Sequence, residues 1–198
     1  MKSTLFPNRT VKIIVIASLL AIAAVLAAAL AIILSKTSQP SQSDALRFSQ
    51  DYLLMGEENA FIYKDAKQTA DFLESGTGIV FMGFPTCPWC QAYVPLLDAV
   101  AKELGVTEII YLDLFDDRSD NTPQYQRLLA HMERHLLTDD NDNPRIYVPD
   151  VTVVKDGVIV GHDNETSTMS GMDPSDYWTY SKVDALQHRL REMIKLIL

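Results

Sequence analysis

The 198-residue sequence is poor in cysteine, and its only two, Cys87 and Cys90, stand three positions apart. A zinc site built from two cysteine pairs is excluded, because no second pair exists. The only closely spaced histidines, His131 and His135, lie far along the chain. Because no cysteine stands near the end of the apolar N-terminal run, a lipid-modified N-terminal cysteine is also excluded.

Acidic residues are absent before Asp44, and residues 13–34 contain neither a charge nor a proline. At about 1.5 Å per residue, this run would extend for about 33 Å, enough to cross a hydrocarbon core of about 30 Å. We therefore predict a transmembrane helix over 13–34. The basic residues that precede it predict a cytoplasmic N-terminus over 1–12 and an extracytoplasmic location for everything after Leu34.

A cleaved signal peptide is the alternative, since Ala27, Ala28 and Ala29 provide small residues of the kind a signal peptidase needs. The apolar part of a signal peptide is about 7–15 residues long, so the length here favours a retained anchor. The polar residues 35–43 are interpreted as a tether, and 44–198 as one domain without internal repeats.

The domain is rich in acidic residues. From Asp44 onwards, 26 acidic residues face 13 basic ones, a formal net charge of −13. Such a surface should be repelled by nucleic acid and by anionic lipid, so neither is expected as a partner. The charge itself is best explained as a solubilising surface.

The motif Cys87-Pro88-Trp89-Cys90 carries the chemistry that the sequence predicts. The apolar run 78–83 indicates a buried strand, and a helix is expected to begin at the cysteines. At a helix N-terminus, free N–H groups and the helix dipole favour a thiolate, which lowers the pKa of Cys87. Cys90, one turn further on, would be shielded and suited to resolving a mixed disulfide. Half of a zinc site and a purely structural cysteine pair remain as alternatives.

Other segments complete an alternation of strands and helices. The remaining strands are expected at 61–63, 108–114, 151–155 and 158–161, the last two joined by Asp156 and Gly157 in a tight turn. The remaining helices are expected at 44–55, 65–74, 123–136 and 182–198. Residues 163–180 are expected to be irregular. A shared metal on His131 and His135 is the weaker alternative to exposed polar side chains, because a third ligand is missing.

This order, from about Phe61 to Leu198, resembles the thioredoxin fold, an α/β architecture with a central mixed sheet flanked by helices. The matching residues are the run 84–90 around the two cysteines, Pro95, Val148 with Pro149, and the hairpin containing 155–157. The run FPTCPWCQ is similar to that of membrane-associated bacterial thioredoxin-like proteins, including those named bacteriocin transport accessory proteins.

The resemblance implies that Cys87 attacks, that Cys90 resolves, and that Pro149 is a cis-proline facing the pair. It also implies that the backbone of Val148 meets an extended substrate. Pro88 and Trp89 would tune the thiol and take part in docking, although Trp89 could equally be a packing residue. Thioredoxins carry a buried acid on the strand before the cysteines, where this sequence has Phe81.

The sequence thus predicts a membrane-anchored, extracytoplasmic thiol–disulfide oxidoreductase whose direction of reaction is open. Its expected partners are protein or peptide thiols and disulfides, together with a redox partner that resets the pair. No cofactor is expected besides the Cys87–Cys90 couple. A non-catalytic accessory module that assists peptide export is the main alternative, and a copper-handling protein is a third.

Overall fold

A mixed five-stranded sheet forms the centre of residues 43–198, the part of the chain that the computed structural model describes. Its strands are β1 (Phe61–Tyr63), β2 (Gly78–Gly83), β3 (Ile109–Asp113), β6 (Asp150–Lys155) and β7 (Val158–Asp163). Their order across the sheet is β1-β3-β2-β6-β7. The first three run parallel, β6 is antiparallel to β2, and β7 is antiparallel to β6. The chain therefore has the α/β class that its sequence predicts.

Helices connect and cover these strands. They are α1 (Asp44–Asp51), α2 (Ala66–Ser75), α3 (Pro88–Glu103), α4 (Phe115–Ser119), α5 (Pro123–Met132), α6 (Pro174–Tyr177) and α7 (Tyr180–Lys195). The predicted start of α2 is confirmed: the side chain of Asp65 accepts the Gln68 N–H, and the Gln68 side chain accepts the Asp65 N–H. This reciprocal cap satisfies two of the N–H groups that a helix leaves free at its first turn.

The two faces of the sheet carry different helices. Gly161 on β7 lies so close to α7 that a Cβ there would stand 2.8 Å from Met193. The next residue, His162, points to the opposite face, as alternation along a strand requires. There its ring lies 5.4 Å from that of His135, which follows α5 in a short 3₁₀ helix, Glu133–His135. Helix α3 packs with α7, and α2 packs with α5.

A tight turn ties the β6–β7 hairpin to the end of α2. Asp156 and Gly157 have φ values of 50° and 76°, so the predicted two-residue turn is confirmed. The N–H of Gly157 donates to the carbonyl of Gly76 at 2.9 Å. A Cβ at Gly157 would stand 2.1 Å from the carbonyl oxygen of Glu74, so the close approach requires glycine.

An aromatic cluster joins α1 to the sheet. The rings of Phe48 on α1 and Phe61 on β1 are stacked at 3.9 Å, and Tyr52 lies 4.4 Å from Phe48. Phe81 on β2 stacks at 5.8 Å on Tyr111 of β3. All five side chains are buried. Because α1 supplies the middle of this cluster, it belongs to the domain core.

Several boundaries differ from expectation. Helix α1 ends at Asp51 rather than near 55, and α5 ends at Met132 rather than 136. The segment expected to be irregular contains α6, and the short helix α4 and the ribbon β4 (Leu137–Thr138) with β5 (Pro144–Arg145) were not expected. Within residues 43–198, no helix has both the length and the apolar character needed to span a membrane. The membrane helix expected at 13–34 and most of the tether lie outside the described residues.

Candidate active site

The two cysteines, Pro149 and α4 are brought together by the direction of the strands. The carboxyl ends of the parallel strands β2 and β3 lie at one edge of the sheet, and β6, antiparallel to β2, starts at the same edge. Cys87 follows β2 after three residues, α4 follows β3, and Pro149 immediately precedes β6. Met82 near the end of β2 pairs with Asp150, the neighbour of Pro149. This edge is the candidate active site.

Cys87 is the N-cap residue of α3. Its sulfur accepts the N–H of Cys90 at 3.2 Å, and Pro88 occupies the first turn, where no N–H is needed. The N–H of Cys87 donates to the carbonyl of Phe84 at 3.0 Å, which fixes the turn that precedes the helix. The local order of strand, turn and helix predicted from the sequence is therefore confirmed, and it places the Cys87 sulfur at the positive end of α3.

The two thiols have opposite ionisation properties. The Cys90 side chain donates to the Cys87 thiolate, and the backbone N–H groups of Cys90 and Trp89 add to this, so the pKa of Cys87 falls to about 7 although partial burial opposes the shift. Burial, followed by the hydrogen bond to Cys87 and its negative charge, raises the pKa of Cys90 well above its ordinary value. Near neutral pH Cys87 is therefore partly ionised, whereas Cys90 remains a thiol.

Access to the two sulfurs differs in the same direction. Cys87 is 8% exposed and Cys90 is 0% exposed, and both are free thiols. Both cysteines are therefore buried, and Cys87 is the less enclosed of the two. The less enclosed sulfur is also the one that ionises first, which is the division of roles that an attacking and a resolving cysteine require.

A half-buried cation, Arg118 on α4, completes the electrostatics of the site. Its guanidinium lies 5.0 Å from the ring centroid of Phe84 and donates to the carbonyl of Ile146 at 3.3 Å. It thus connects the turn before Cys87 with the segment that leads to Pro149. Its positive charge also contributes to the lowered pKa of Cys87. Arg118 was missed in the sequence, where the available signal was a single basic residue in the acidic run 113–120.

The buried acid of thioredoxins has no equivalent at Phe81, whose side chain is fully buried among aromatic rings. Near this position the fold places two phenols: the Tyr52 hydroxyl donates to the Tyr111 hydroxyl at 3.2 Å. A Cβ on Gly83 would lie 3.1 Å from the Tyr52 oxygen, and the negative charge of an ionised Cys90 acts on both phenols. The hydroxyls of Tyr52, which directly follows α1, and of Tyr111 on β3 are therefore coupled electrostatically to Cys90.

Gln91, the residue after Cys90, holds the end of α1 against the site. Its amide nitrogen donates to the carbonyls of Asp51 and Pro85, both at 2.8 Å, and its amide oxygen accepts the N–H of Leu53 at 3.0 Å. Beside it lies a groove of about 710 Å³ between α3 and α6. The groove is lined mainly by apolar side chains, among them Leu54, Pro88, Pro95, Leu96 and Trp178.

The remaining predicted site residues lie around this edge in different settings. Pro88 is exposed and borders the groove. Trp89 is only 8% exposed and packs edge-to-face on Tyr177 of α6 at 5.5 Å, which favours a packing role. Val148 and Pro149 are both buried, and the peptide bond between them is cis, as the resemblance implied.

The metal alternatives receive no support from the side-chain arrangement. Within the described part of the chain, no group of three or more His, Cys, Asp or Glu side chains has the arrangement of a metal site. His135 is exposed, whereas the Nε2 atom of His131 is buried without a hydrogen-bond partner in residues 43–198. His162 instead pairs with the buried carboxylate of Asp150 at 2.8 Å.

No protein-family model matches the chain, and no curated protein matches it.

Proposed function

We propose that the domain is a thiol–disulfide oxidoreductase with a thioredoxin-like fold, in which Cys87 is the attacking thiol and Cys90 the resolving thiol. One observation carries the proposal: Cys87, the less buried of the two cysteines, has the lowered pKa, and the fully buried Cys90 has a raised pKa. A structural pair needs no such asymmetry. The mixed sheet with helices on both faces and the cis bond before Pro149 support the thioredoxin-like fold.

The reaction follows from this asymmetry. The Cys87 thiolate attacks one sulfur of a substrate disulfide, which forms a mixed disulfide and releases the other substrate sulfur as a thiolate that takes up a proton. Cys90 then loses its proton and attacks the Cys87 sulfur. The Cys87–Cys90 disulfide forms, and the second substrate thiolate leaves. The substrate gains two electrons, which the cysteine pair has lost; the reverse sequence oxidises a dithiol.

Within this proposal the expected helix at 13–34 anchors the domain on the extracytoplasmic side of the membrane. The substrates are then exported proteins or peptides, and a separate partner resets the pair.

Mixed-disulfide trapping tests the proposal. Cys90→Ala should accumulate a covalent complex with a disulfide-containing protein such as insulin, and Cys87→Ala should form none and lose insulin reduction. Insulin reduction by the Cys87→Ala variant at the rate of the unchanged protein would disprove it.

The groove beside Pro88 favours one other function, a non-catalytic accessory module that holds an exported peptide. That function predicts peptide binding that survives in Cys87→Ala and an absence of turnover in the unchanged protein. Measuring both on the same preparation separates the two functions.

A further inference from the structure

Arg118 lines a second cavity, a polar cleft of about 360 Å³ between α4, α5 and the β4–β5 ribbon. The other polar side chains that line it are Asn121, Tyr125, Gln126, Asp139, Asn143 and Arg145. The cleft begins at the active site, because the Arg118 guanidinium contacts Phe84 and its charge acts on Cys87. It is separate from the apolar groove beside Pro88, which shares none of these residues.

Two guanidinium groups meet in this cleft without a carboxylate partner. Within residues 43–198, neither Arg118 nor Arg145 forms an ion pair, whereas Arg127, Arg189 and Arg191 each bind one or two carboxylates. Burial, and then the positive charge of Arg145, lowers the pKa of Arg118. An anion bound between the two guanidinium groups would reduce their mutual repulsion.

Asp139 is the acid that lines the cleft, and its carboxylate is engaged within its own loop. Oδ1 of Asp139 accepts the N–H of Asn141 at 2.9 Å and the N–H of Asn143 at 3.0 Å. It therefore offsets part of the positive charge but forms no ion pair with either arginine. The side-chain amides of Asn121, Gln126 and Asn143 also line the cleft; the Gln126 amide donates to Asn121 and the Asn143 amide donates to Asp139 at 3.3 Å, which leaves each of these two with one further N–H.

We propose that this cleft binds a carboxylate carried by the substrate, from an acidic side chain or a C-terminus, and so orients the substrate disulfide toward Cys87. The inference rests on the proposed function and specifies its substrate class. A planar guanidinium donates two parallel hydrogen bonds to a carboxylate, and side-chain amides complete its shell. The acidic surface elsewhere repels the same group, so the cleft fixes one orientation.

Matched peptide disulfides test the proposal on the full 198-residue chain. In the first pair, one peptide has Glu beside the cysteine and the other has Gln. In the second pair, one peptide ends in a carboxylate and the other in an amide. In at least one pair, the unchanged protein should reduce the carboxylate peptide with a higher kcat/KM than its neutral counterpart. The pair that shows this preference identifies the source of the carboxylate. Arg145→Gln should reduce that preference about fivefold, the effect of removing one partly exposed charge pair.

Arg134→Gln is the matched control, because it removes the same charge from an exposed residue that lines a different cavity. A preference that is unchanged in Arg145→Gln, or that falls equally in Arg134→Gln, would overturn the cleft as the binding site. A protein that shows no preference for carboxylate would overturn it as well.

A measurement without turnover keeps this test independent of the proposed function. The rate of reaction of the reduced protein with the dianionic 5,5′-dithiobis(2-nitrobenzoate) is divided by its rate with the neutral 2,2′-dithiodipyridine. This ratio should fall about fivefold in Arg145→Gln and stay constant in Arg134→Gln. Failure both to reduce any peptide disulfide and to oxidise any peptide dithiol, while the ratio still falls, would refute the oxidoreductase and retain the carboxylate cleft.

Discussion

At the scale of single residues, the proposed chemistry depends on the different surroundings of two identical side chains. Cys87 lies at the start of α3 and receives hydrogen bonds from Cys90 and from backbone N–H groups. Cys90 lies one turn further along, fully buried, where ionisation is opposed. One helical turn is enough to separate the two pKa values, because free N–H groups and the dipole act mainly within the first turn.

The pH dependence of alkylation reports this separation. The rate at which iodoacetamide modifies Cys87 should rise with a midpoint near pH 7, because the thiolate is the nucleophile and its pKa is about 7. Cys90→Ala should move the midpoint upward, since it removes the largest cause of the lowered pKa. Arg118→Gln should move it upward by less. Peptide mapping by mass spectrometry assigns the modified sulfur, and a midpoint near about 8.5 in the unchanged protein would contradict the prediction.

The hydroxyl pair of Tyr52 and Tyr111 should affect the second thiol step. Tyr52→Phe removes a neutral hydroxyl whose dipole acts on the Cys90 thiolate as it forms, so resolution of the mixed disulfide should slow severalfold while alkylation of Cys87 is unchanged. Rapid-quench measurement of the mixed disulfide separates the two steps. Tyr93→Phe is the control, because this buried phenol of α3 donates to Asp163 instead; an equal slowing there would indicate a packing effect.

At the scale of elements, short connections place the site. The β6–β7 hairpin is locked onto the end of α2 through Gly157, and Gln91 fastens the end of α1 to the first turn of α3. Arg118 links the turn before α3 to the segment before β6. Each link joins residues that are distant in sequence. The Gly157 link lies at the end of β6 away from the site, whereas the Gln91 and Arg118 links lie at the site, so loss of either of these two should loosen the site before it unfolds the domain.

Two glycine substitutions compare the stability cost of a side chain at the hairpin turn with its cost at a position where the side chain has free space. Gly157→Ala should lower the free energy of unfolding by about 3 kcal/mol, because it combines positive φ with a clash against the Glu74 carbonyl. Gly105→Ala has a similar φ of 74° but open space around its Cβ, so it should cost only about 1 kcal/mol. Urea unfolding of both variants provides the values, and equal losses would show that the contact with α2 contributes nothing.

At the scale of the whole molecule, the excess of negative charge dominates the long-range electrostatics. The ion pairs of the described residues are mostly exposed, and such pairs contribute about 0–1 kcal/mol each. The net charge of −13 repels itself across the whole surface. The domain should therefore be stabilised by screening, and it should bind neither nucleic acid nor anionic vesicles.

Thermal unfolding at two salt concentrations checks this balance. Raising sodium chloride from about 20 mM to about 500 mM shortens the Debye length from roughly 20 Å to about 4 Å, which screens repulsion across the surface more than contacts within a pair. The unfolding temperature should rise by about 2–4 °C, the shift that corresponds to about 1 kcal/mol in a domain of this size. A fall would show that the ion pairs outweigh the repulsion.

Local pattern was sufficient for much of the fold. The strand before the cysteines, the helix that begins beside them, the cap of α2 and the Asp156–Gly157 turn all follow from interactions between residues a few positions apart. The ends of α1 and α5 were less predictable, because their apolar patterns continue past the last helical residue. Helix α4 has no buried residue and so left no periodicity to detect.

The sequence by itself determined which sulfurs can react and which of them lies at a helix N-terminus, because both properties depend on contacts within one turn. Only the tertiary structure decided what surrounds them. Arg118, Arg145 and the pair of Tyr52 with Tyr111 come from segments far apart in the chain, and they meet because parallel and antiparallel strands bring their ends to one edge of the sheet. No local sequence pattern encodes these contacts, because they depend on the order of the strands in the sheet rather than on the sequence of a single strand.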